Sequence, residues 1–221
     1  VLGDWQNPYL SLNKSFEADT VRALGRIVAN GHLEKGEKPV HWCMDCRSAL
    51  AEAEVEYQDK ISHSIDVKFP VTSENLDKVC SAFNVKPMLE ISMVIWTTTP
   101  WTIPSNVAVC INDSFNYVLA ESSQGNLIVA EDLIDDCSQR WGLDLNVIGS
   151  TQGKNLTDIS LHHPLYQRES RVLAGEHVTT ENGTGCVHTA PAHGLDDYFI
   201  CIKNKLESIK ALDNRGLFKE E

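Results

Sequence analysis

Residues 91–106 read Ile91-Ser92-Met93-Val94-Ile95-Trp96-Thr97-Thr98-Thr99-Pro100-Trp101-Thr102-Ile103-Pro104-Ser105-Asn106. An apolar run passes directly into three threonines and then meets Pro100. Proline has no N–H to donate, so a sheet ladder must stop there. Threonine is favoured in strands, so three of them alone describe only a strand end. The eleven residues from Trp96 to Asn106 say more, because they hold four threonines, two tryptophans, two prolines and an asparagine. So many polar groups are costly to bury without partners. Hydroxyls crowded at a strand mouth suit a site that binds a ribose or orients a water. Side chains alternate along a strand. An extended chain would therefore put Thr97 and Thr99 on one face and Thr98 on the other.

Outward from this strand, short apolar runs alternate with turn residues. Strands are expected over 64–69, 89–98, 107–111, 116–121, 126–130, 144–149, 171–174 and 184–189, with helices over 74–84, 131–141 and 195–209. The N-terminal part differs. Residues 13–32 read as one helix, capped by Ser15 and stopped at Gly31, with Phe16, Val21, Leu24, Ile27 and Val28 near one face. Glu52 to Tyr57 alternates charged residues with Ala, Val and Tyr and reads as a half-exposed strand. The expected fold class is mixed α/β and β-rich, a barrel-like β core with peripheral helices. The expected boundary divides a connecting segment, 1–56, from a compact domain, 57–221.

A second string stands out: Gly183-Thr184-Gly185-Cys186-Val187-His188-Thr189-Ala190-Pro191-Ala192-His193-Gly194-Leu195-Asp196-Asp197-Tyr198. Glycines and small residues let backbone approach a ligand closely. The segment then enters a helix that Asp196 or Asp197 could simply cap. His188 could equally be a core histidine with its hydrogen bonds satisfied.

Composition limits the function classes. The chain has 221 residues, 42% of them apolar, enough for one large domain or for one domain with an appendage. No run approaches the roughly 18 unbroken apolar residues of a membrane helix. Its start at Val1, without Met, reads as that of an excised fragment. A net charge of −12 is wrong for a free-standing nucleic-acid binder, which needs a basic face. If a nucleic acid is the substrate, other parts of a larger protein must hold most of it. Seven scattered cysteines indicate a reducing, cytoplasmic setting rather than a disulfide framework. Cys43 and Cys46, in Cys43-Met44-Asp45-Cys46, form half of a zinc site with no second pair. No Gly-x-Ser-x-Gly sequence points to a serine hydrolase.

The two strings together resemble the editing domain of class I tRNA synthetases for isoleucine, valine and leucine. The resemblance extends to Val1-Leu2-Gly3-Asp4-Trp5, to His41-Trp42-Cys43 and to Ala49–Val55, so it covers nearly the whole chain. Within the group, Thr97-Thr98-Thr99-Pro100-Trp101-Thr102, His188 and Gly194 resemble the bacterial-type isoleucyl branch. Valyl and leucyl relatives tend to carry Arg after the paired threonines and Asp after the equivalent of His193. Neither His-Ile-Gly-His nor Lys-Met-Ser-Lys-Ser occurs, so no synthetic site is expected in this chain; ATP binding would belong to the full-length protein.

What the resemblance implies is hydrolysis of valine wrongly esterified to isoleucine tRNA, and of valyl-adenylate. One methylene separates the two amino acids, and an apolar pocket can use it for only about one hundred to two hundredfold, a limit established on isoleucyl enzymes themselves. A second, smaller pocket that hydrolyses what enters it supplies the rest. By position, Asp197 should pair with the substrate α-ammonium, and His188 should line the pocket and exclude the larger side chain. Thr97, Thr98, Thr99 and Thr102 should hold the terminal adenosine or the attacking water. Asn106 should orient ester or water, with Trp96 and Trp101 in the substrate site. The ester is already activated, so positioned water can suffice without metal or cofactor. Zinc at Cys43 and Cys46 belongs only to a full-length protein, where further cysteines could complete the site. The implied partners are the 3′ end of tRNA(Ile) carrying valine and the remainder of the synthetase. The protein is expected to be a monomer, with no membrane contact. The competing readings are a valyl- or leucyl-type editor, a separate trans-editing hydrolase, or a non-catalytic tRNA-docking insert.

Overall fold

The structure is a computed structural model and describes residues 3–220. It divides into two compact units, one ending at Glu37 and one beginning at Lys38. No helix among the described residues is long and apolar enough to cross a membrane.

The first unit holds helix α1, Lys14–Ala29. Its cap is Asn13 rather than Ser15: the Asn13 Oδ1 accepts the Ser15 N–H at 2.9 Å and the Ser15 hydroxyl at 2.7 Å. Both residue types can cap, and here the asparagine precedes the first helical turn. The helix stops before Gly31, which has φ +73°.

The second unit begins with a short hairpin, β1 (Trp42–Cys43) paired with β2 (Ser48–Ala49). The half-exposed strand expected at 52–57 is not formed. Glu52–Glu54 is a single 3₁₀ turn, closed when the Glu54 carboxylate accepts the Ala51 N–H at 2.7 Å. Alternating charge fits a strand, but no neighbouring strand is there to pair with it.

Two sheets follow. The first contains β3 (Ile65–Pro70), β4 (Ile91–Thr97), β6 (Asn116–Ser122), β7 (Gly125–Ala130) and β8 (Asn146–Gln152), in the order β3-β4-β7-β6-β8. The second contains β5 (Ala108–Ile111), β9 (Ser160–His162), β10 (Glu169–Ala174) and β11 (Cys186–Thr189), in the order β11-β5-β10-β9. Pairing is antiparallel except β4 with β7 and β5 with β10. β9 has no counterpart among the expected strands, being three residues long, with Leu161 as its one apolar residue and His162 and His163 where an apolar run would continue. The sheets meet through a bridge between Val71 and Leu161 and through the Ala130 N–H, which donates to the Thr184 carbonyl at 2.8 Å. They do not close into a barrel, so the expected barrel gives way to two sheets sharing one core. That core runs from Phe69, Ile91, Met93 and Ile95 to Val109, Ile111, Leu161 and Val172.

Helices α2 (Leu76–Ala82), α3 (Ile134–Trp141) and α4 (Leu195–Lys203) complete the unit. α4 ends six residues before the expected position 209, at Asn204 and the left-handed Lys205. β4 positions the site. Residues Ile91 to Ile95 are all buried, which is why the run is apolar on both faces rather than alternating. β4 ends at Thr97, and a 3₁₀ turn over Pro100–Ser105 carries the chain to β5.

Candidate active site

A cavity of about 570 Å³ opens where β4, the start of the 3₁₀ turn, β11 and the start of α4 converge. Its size lies within the range of small-ligand sites. Of the residues singled out in the sequence, Trp96, Thr97, Thr98, Thr99, Trp101, Thr102, His188 and Asp197 line it; Asn106 does not.

All four threonines line the cavity, Thr98 included, because the strand ends at Thr97, but they differ in burial and bonding. Thr97 is buried and Thr98 exposed. The Thr97 and Thr99 hydroxyls are 3.3 Å apart, and the Thr99 N–H donates to the Thr97 Oγ1 at 3.0 Å. Thr102 returns from the 3₁₀ turn, its hydroxyl 3.5 Å from that of Thr99. Thr98 is tied down through its backbone, where its carbonyl accepts the Ser62 hydroxyl at 2.6 Å.

Behind the threonines runs a hydrogen-bond chain whose direction can be deduced. The Ala108 carbonyl can only accept, so the Asn106 atom 2.7 Å from it is the amide nitrogen. The Asn106 Oδ1 then accepts the Ser170 hydroxyl. The second amide proton goes to the His188 Nδ1 at 2.9 Å, which must be an acceptor. The His188 proton therefore sits on Nε2 and is donated to the Thr102 Oγ1 at 2.7 Å. Thr102 passes its own proton to the Thr99 carbonyl at 2.8 Å. Both His188 nitrogens are thus engaged. Burial, with smaller contributions from His193 and His163, pushes its pKa down to about 4, so it is neutral at physiological pH. His188 lines the cavity with both ring nitrogens already bonded within the protein. Asn106, fully buried, lies behind His188 and does not line the cavity.

Neither Asp196 nor Asp197 caps α4; the cap is Gly194, with no side-chain bond. Asp197 instead turns back, and its Oδ2 accepts the Ala190 N–H at 2.9 Å. A Cβ on Gly194 would come within 3.0 Å of that Oδ2, so the bare glycine makes room for the carboxylate. Burial raises the Asp197 pKa above its ordinary 3.8, and the Ala190 N–H and His177 pull it back. Raised carboxyls facing a cavity are a recurrent mark of functional sites.

Several lining residues were not singled out: His177, Thr179, Glu181, Asn182 and His193. His193 lay in a string already noted, and its Nε2 is 3.1 Å from the Ser105 hydroxyl. Residues 177–182 belong to an irregular loop with no periodicity to find.

The Cys43 and Cys46 pair lies on the β1–β2 hairpin. The Cys46 N–H points at the Cys43 sulfur at 3.2 Å and, with the Cys46 side chain, lowers the Cys43 pKa. Among the described residues no group of three or more His, Cys, Asp or Glu is placed to hold a metal. Two thiols alone do not make a zinc site.

A match to the class I tRNA synthetases (I, L, M and V) spans residues 1–203. The chain is similar to the isoleucine–tRNA ligase of Idiomarina loihiensis, 48% identical over 230 residues, covering 100% of this chain and 24% of the relative. It is similar also to that of Thioalkalivibrio sulfidiphilus, 53% identical over 216 residues, covering 97% and 22%. The chain therefore spans about a quarter of the length of these relatives. Its fold is similar to that of the P. knowlesi cytosolic leucyl-tRNA synthetase editing domain, with TM-score 0.54, 14% identity, and coverage of 69% of this chain and 71% of that one.

Proposed function

The chain belongs to the class I tRNA synthetases (I, L, M and V), and from that premise we propose that it hydrolyses valine from mischarged tRNA(Ile), as the editing part of a cytoplasmic isoleucyl-tRNA synthetase. The observation that carries this reading is the convergence of Asp197, His188 and the threonine hydroxyls on one cavity. Asp197 supplies the anion that fixes the α-ammonium. His188, held from behind by Asn106 and from the front by Thr102, limits the size of the side chain admitted. Among the three threonines whose hydroxyls bond to one another, Thr99 has the longest contacts, 3.3 and 3.5 Å, and neither is to backbone. It holds the attacking water. Trp96 and Trp101 offer flat surfaces to the terminal adenosine. The isoleucyl rather than the valyl or leucyl reading rests on Thr99 and on its isoleucyl relatives. The test is deacylation of valyl-tRNA(Ile) by the chain, with isoleucyl-tRNA(Ile) as the resistant control. Equal rates for the two would defeat the assignment.

The hydroxyls should contribute unequally. Thr→Val keeps the branched shape and removes one hydrogen-bonding oxygen. Thr99→Val is expected to slow deacylation on the order of tenfold, about 1.4 kcal/mol of transition-state stabilisation. Thr97→Val should cost at least as much, because the Thr97 oxygen also accepts the Thr99 N–H. Thr98→Val should stay within about twofold at matched melting temperature. Thr98 proving the most sensitive would refute the division.

An activated ester needs no Lewis acid, and the cavity's carboxylate and hydroxyls suit water and ammonium. We expect the purified chain to edit at full rate after exhaustive chelation and to carry less than stoichiometric zinc. One zinc per chain by elemental analysis, lost in Cys43→Ser, would show that the thiol pair is completed within this chain.

A further inference from the structure

Helix α3 carries a residue that holds the cavity wall from outside. Arg140 grips Asp66 on β3 with both prongs of its guanidinium, Nε to Oδ2 at 3.1 Å and Nη2 to Oδ1 at 2.9 Å. The same Nη2 donates to the Gly183 carbonyl at 3.0 Å, and the Cys137 thiol approaches that carbonyl at 3.5 Å. Gly183 lines the cavity. Its φ is +87°, and a Cβ there would come within 3.1 Å of the Trp96 ring, so backbone and indole are packed directly together. The next two carbonyls are held from the scaffold as well. Thr184 accepts from the Ala130 N–H at 2.8 Å, and Gly185 accepts from the Tyr117 hydroxyl at 2.7 Å.

A trans peptide sets its N–H antiparallel to its carbonyl. With the Gly183 carbonyl turned to Arg140, the Thr184 N–H is directed away from α3. It meets no acceptor among the described residues, although Thr184 is 1% exposed and lines the cavity. A buried donor without a partner is costly unless a ligand or water completes it.

We propose that Arg140, braced by Asp66, is a positioning residue for the editing reaction: it fixes the wall Gly183–Gly185 against Trp96 and so holds the shape of the cavity that receives the substrate. This rests on the editing reading given above. The Arg140 and Asp66 side chains are 31% and 19% exposed, so the pair is partly screened and of limited worth to stability. Its value is geometric. Only a planar fork can hold a carboxylate by two nitrogens and a carbonyl by one of them.

The test compares Arg140→Met, Arg140→Lys and Asp66→Asn with the unsubstituted chain. Two readouts are used: the melting temperature, and the affinity for the non-hydrolysable 3′-amide analogue of valyl-adenosine. Losing one charge-assisted hydrogen bond at the wall should weaken binding by Arg140→Met roughly tenfold or more, with KM for valyl-tRNA rising in step. Arg140→Lys should be intermediate. Asp66→Asn, which leaves Arg140 without its brace, should shift affinity the same way by a smaller factor. Unchanged affinity in both Arg140→Met and Asp66→Asn, whatever their melting temperatures, would reduce Arg140 to a stability residue. Failure of the unsubstituted chain to bind the analogue would instead sink the editing reading itself.

Discussion

Asp197→Ala should slow hydrolysis of valyl-tRNA(Ile) by on the order of a hundredfold or more, the cost of removing one partner of a desolvated charge pair, while the fold survives. The argument for survival is electrostatic. Burial raises the Asp197 pKa, which means the ionised carboxylate costs the folded state at neutral pH. That cost is relieved as pH falls through the raised value, and below the ordinary 3.8 the group is protonated folded or unfolded. Removing the carboxylate relieves the same cost and leaves only the Ala190 N–H without its acceptor. The two effects oppose, so the melting temperature should move by no more than a few degrees, about 1 kcal/mol. Asp197→Asn keeps an acceptor for Ala190 but no charge, and should be nearly as inactive as the alanine variant if the anion is what matters. In the unsubstituted chain the acid limb of activity should lie above the ordinary aspartate range, since Asp197 must be ionised to hold an ammonium. Full activity in a well-folded Asp197→Ala chain would remove it from the site.

The two strings that suggested a site were legible because their chemistry is local. A strand that breaks at a proline after three threonines must expose or pair those hydroxyls nearby, and Thr97, Thr99 and Thr102 pair with one another. The β core was legible for a similar reason: Ile91–Ile95, interrupted only by Ser92, and Ala108–Ile111 are apolar runs, and a run buried on both faces needs no periodicity to be recognised. Long-range facts were not legible. Nothing in the sequence near Asn106 says that its amide is spent on Ala108, Ser170 and His188. The resemblance implied that it orients ester or water; in the fold it is buried behind His188 and outside the cavity lining. Arg140 likewise reads as a basic residue in the last turn of a helix. Only the sheet order, which sets β3 and the Gly183 loop beside α3, reveals what it grips. The open sheets escaped prediction because closure depends on strand stagger, and no single strand encodes it.

His188 is where stability and selectivity are hardest to separate, and a matched pair of substitutions separates them. His188→Ala empties a buried site and leaves Thr102 and Asn106 without their shared partner. The expected cost is about 2–4 kcal/mol, from the cavity and the unpaired polar groups together. His188→Phe loses the same hydrogen bonds but keeps most of the volume, so it should be destabilised by a similar amount or somewhat less. Selectivity should behave differently. If the imidazole acts as a wall, the alanine variant gains room for one more methylene and should hydrolyse isoleucyl-tRNA(Ile) at about ten times its former rate relative to valyl-tRNA(Ile). The phenylalanine variant should keep the discrimination of the parent. The dependence of stability on pH supplies an independent check. His188 titrates at about 4 when folded against an ordinary 6.5, so it binds its proton less well in the fold. Its contribution is complete above 6.5 and is lost as pH falls from there towards 4. Both variants should lose this portion of the acid slope and retain the portion due to His163, which burial also pushes down to about 4. Equal discrimination by the alanine variant, the phenylalanine variant and the parent would mean that His188 only braces Thr102, and that the size limit is set elsewhere on the cavity wall.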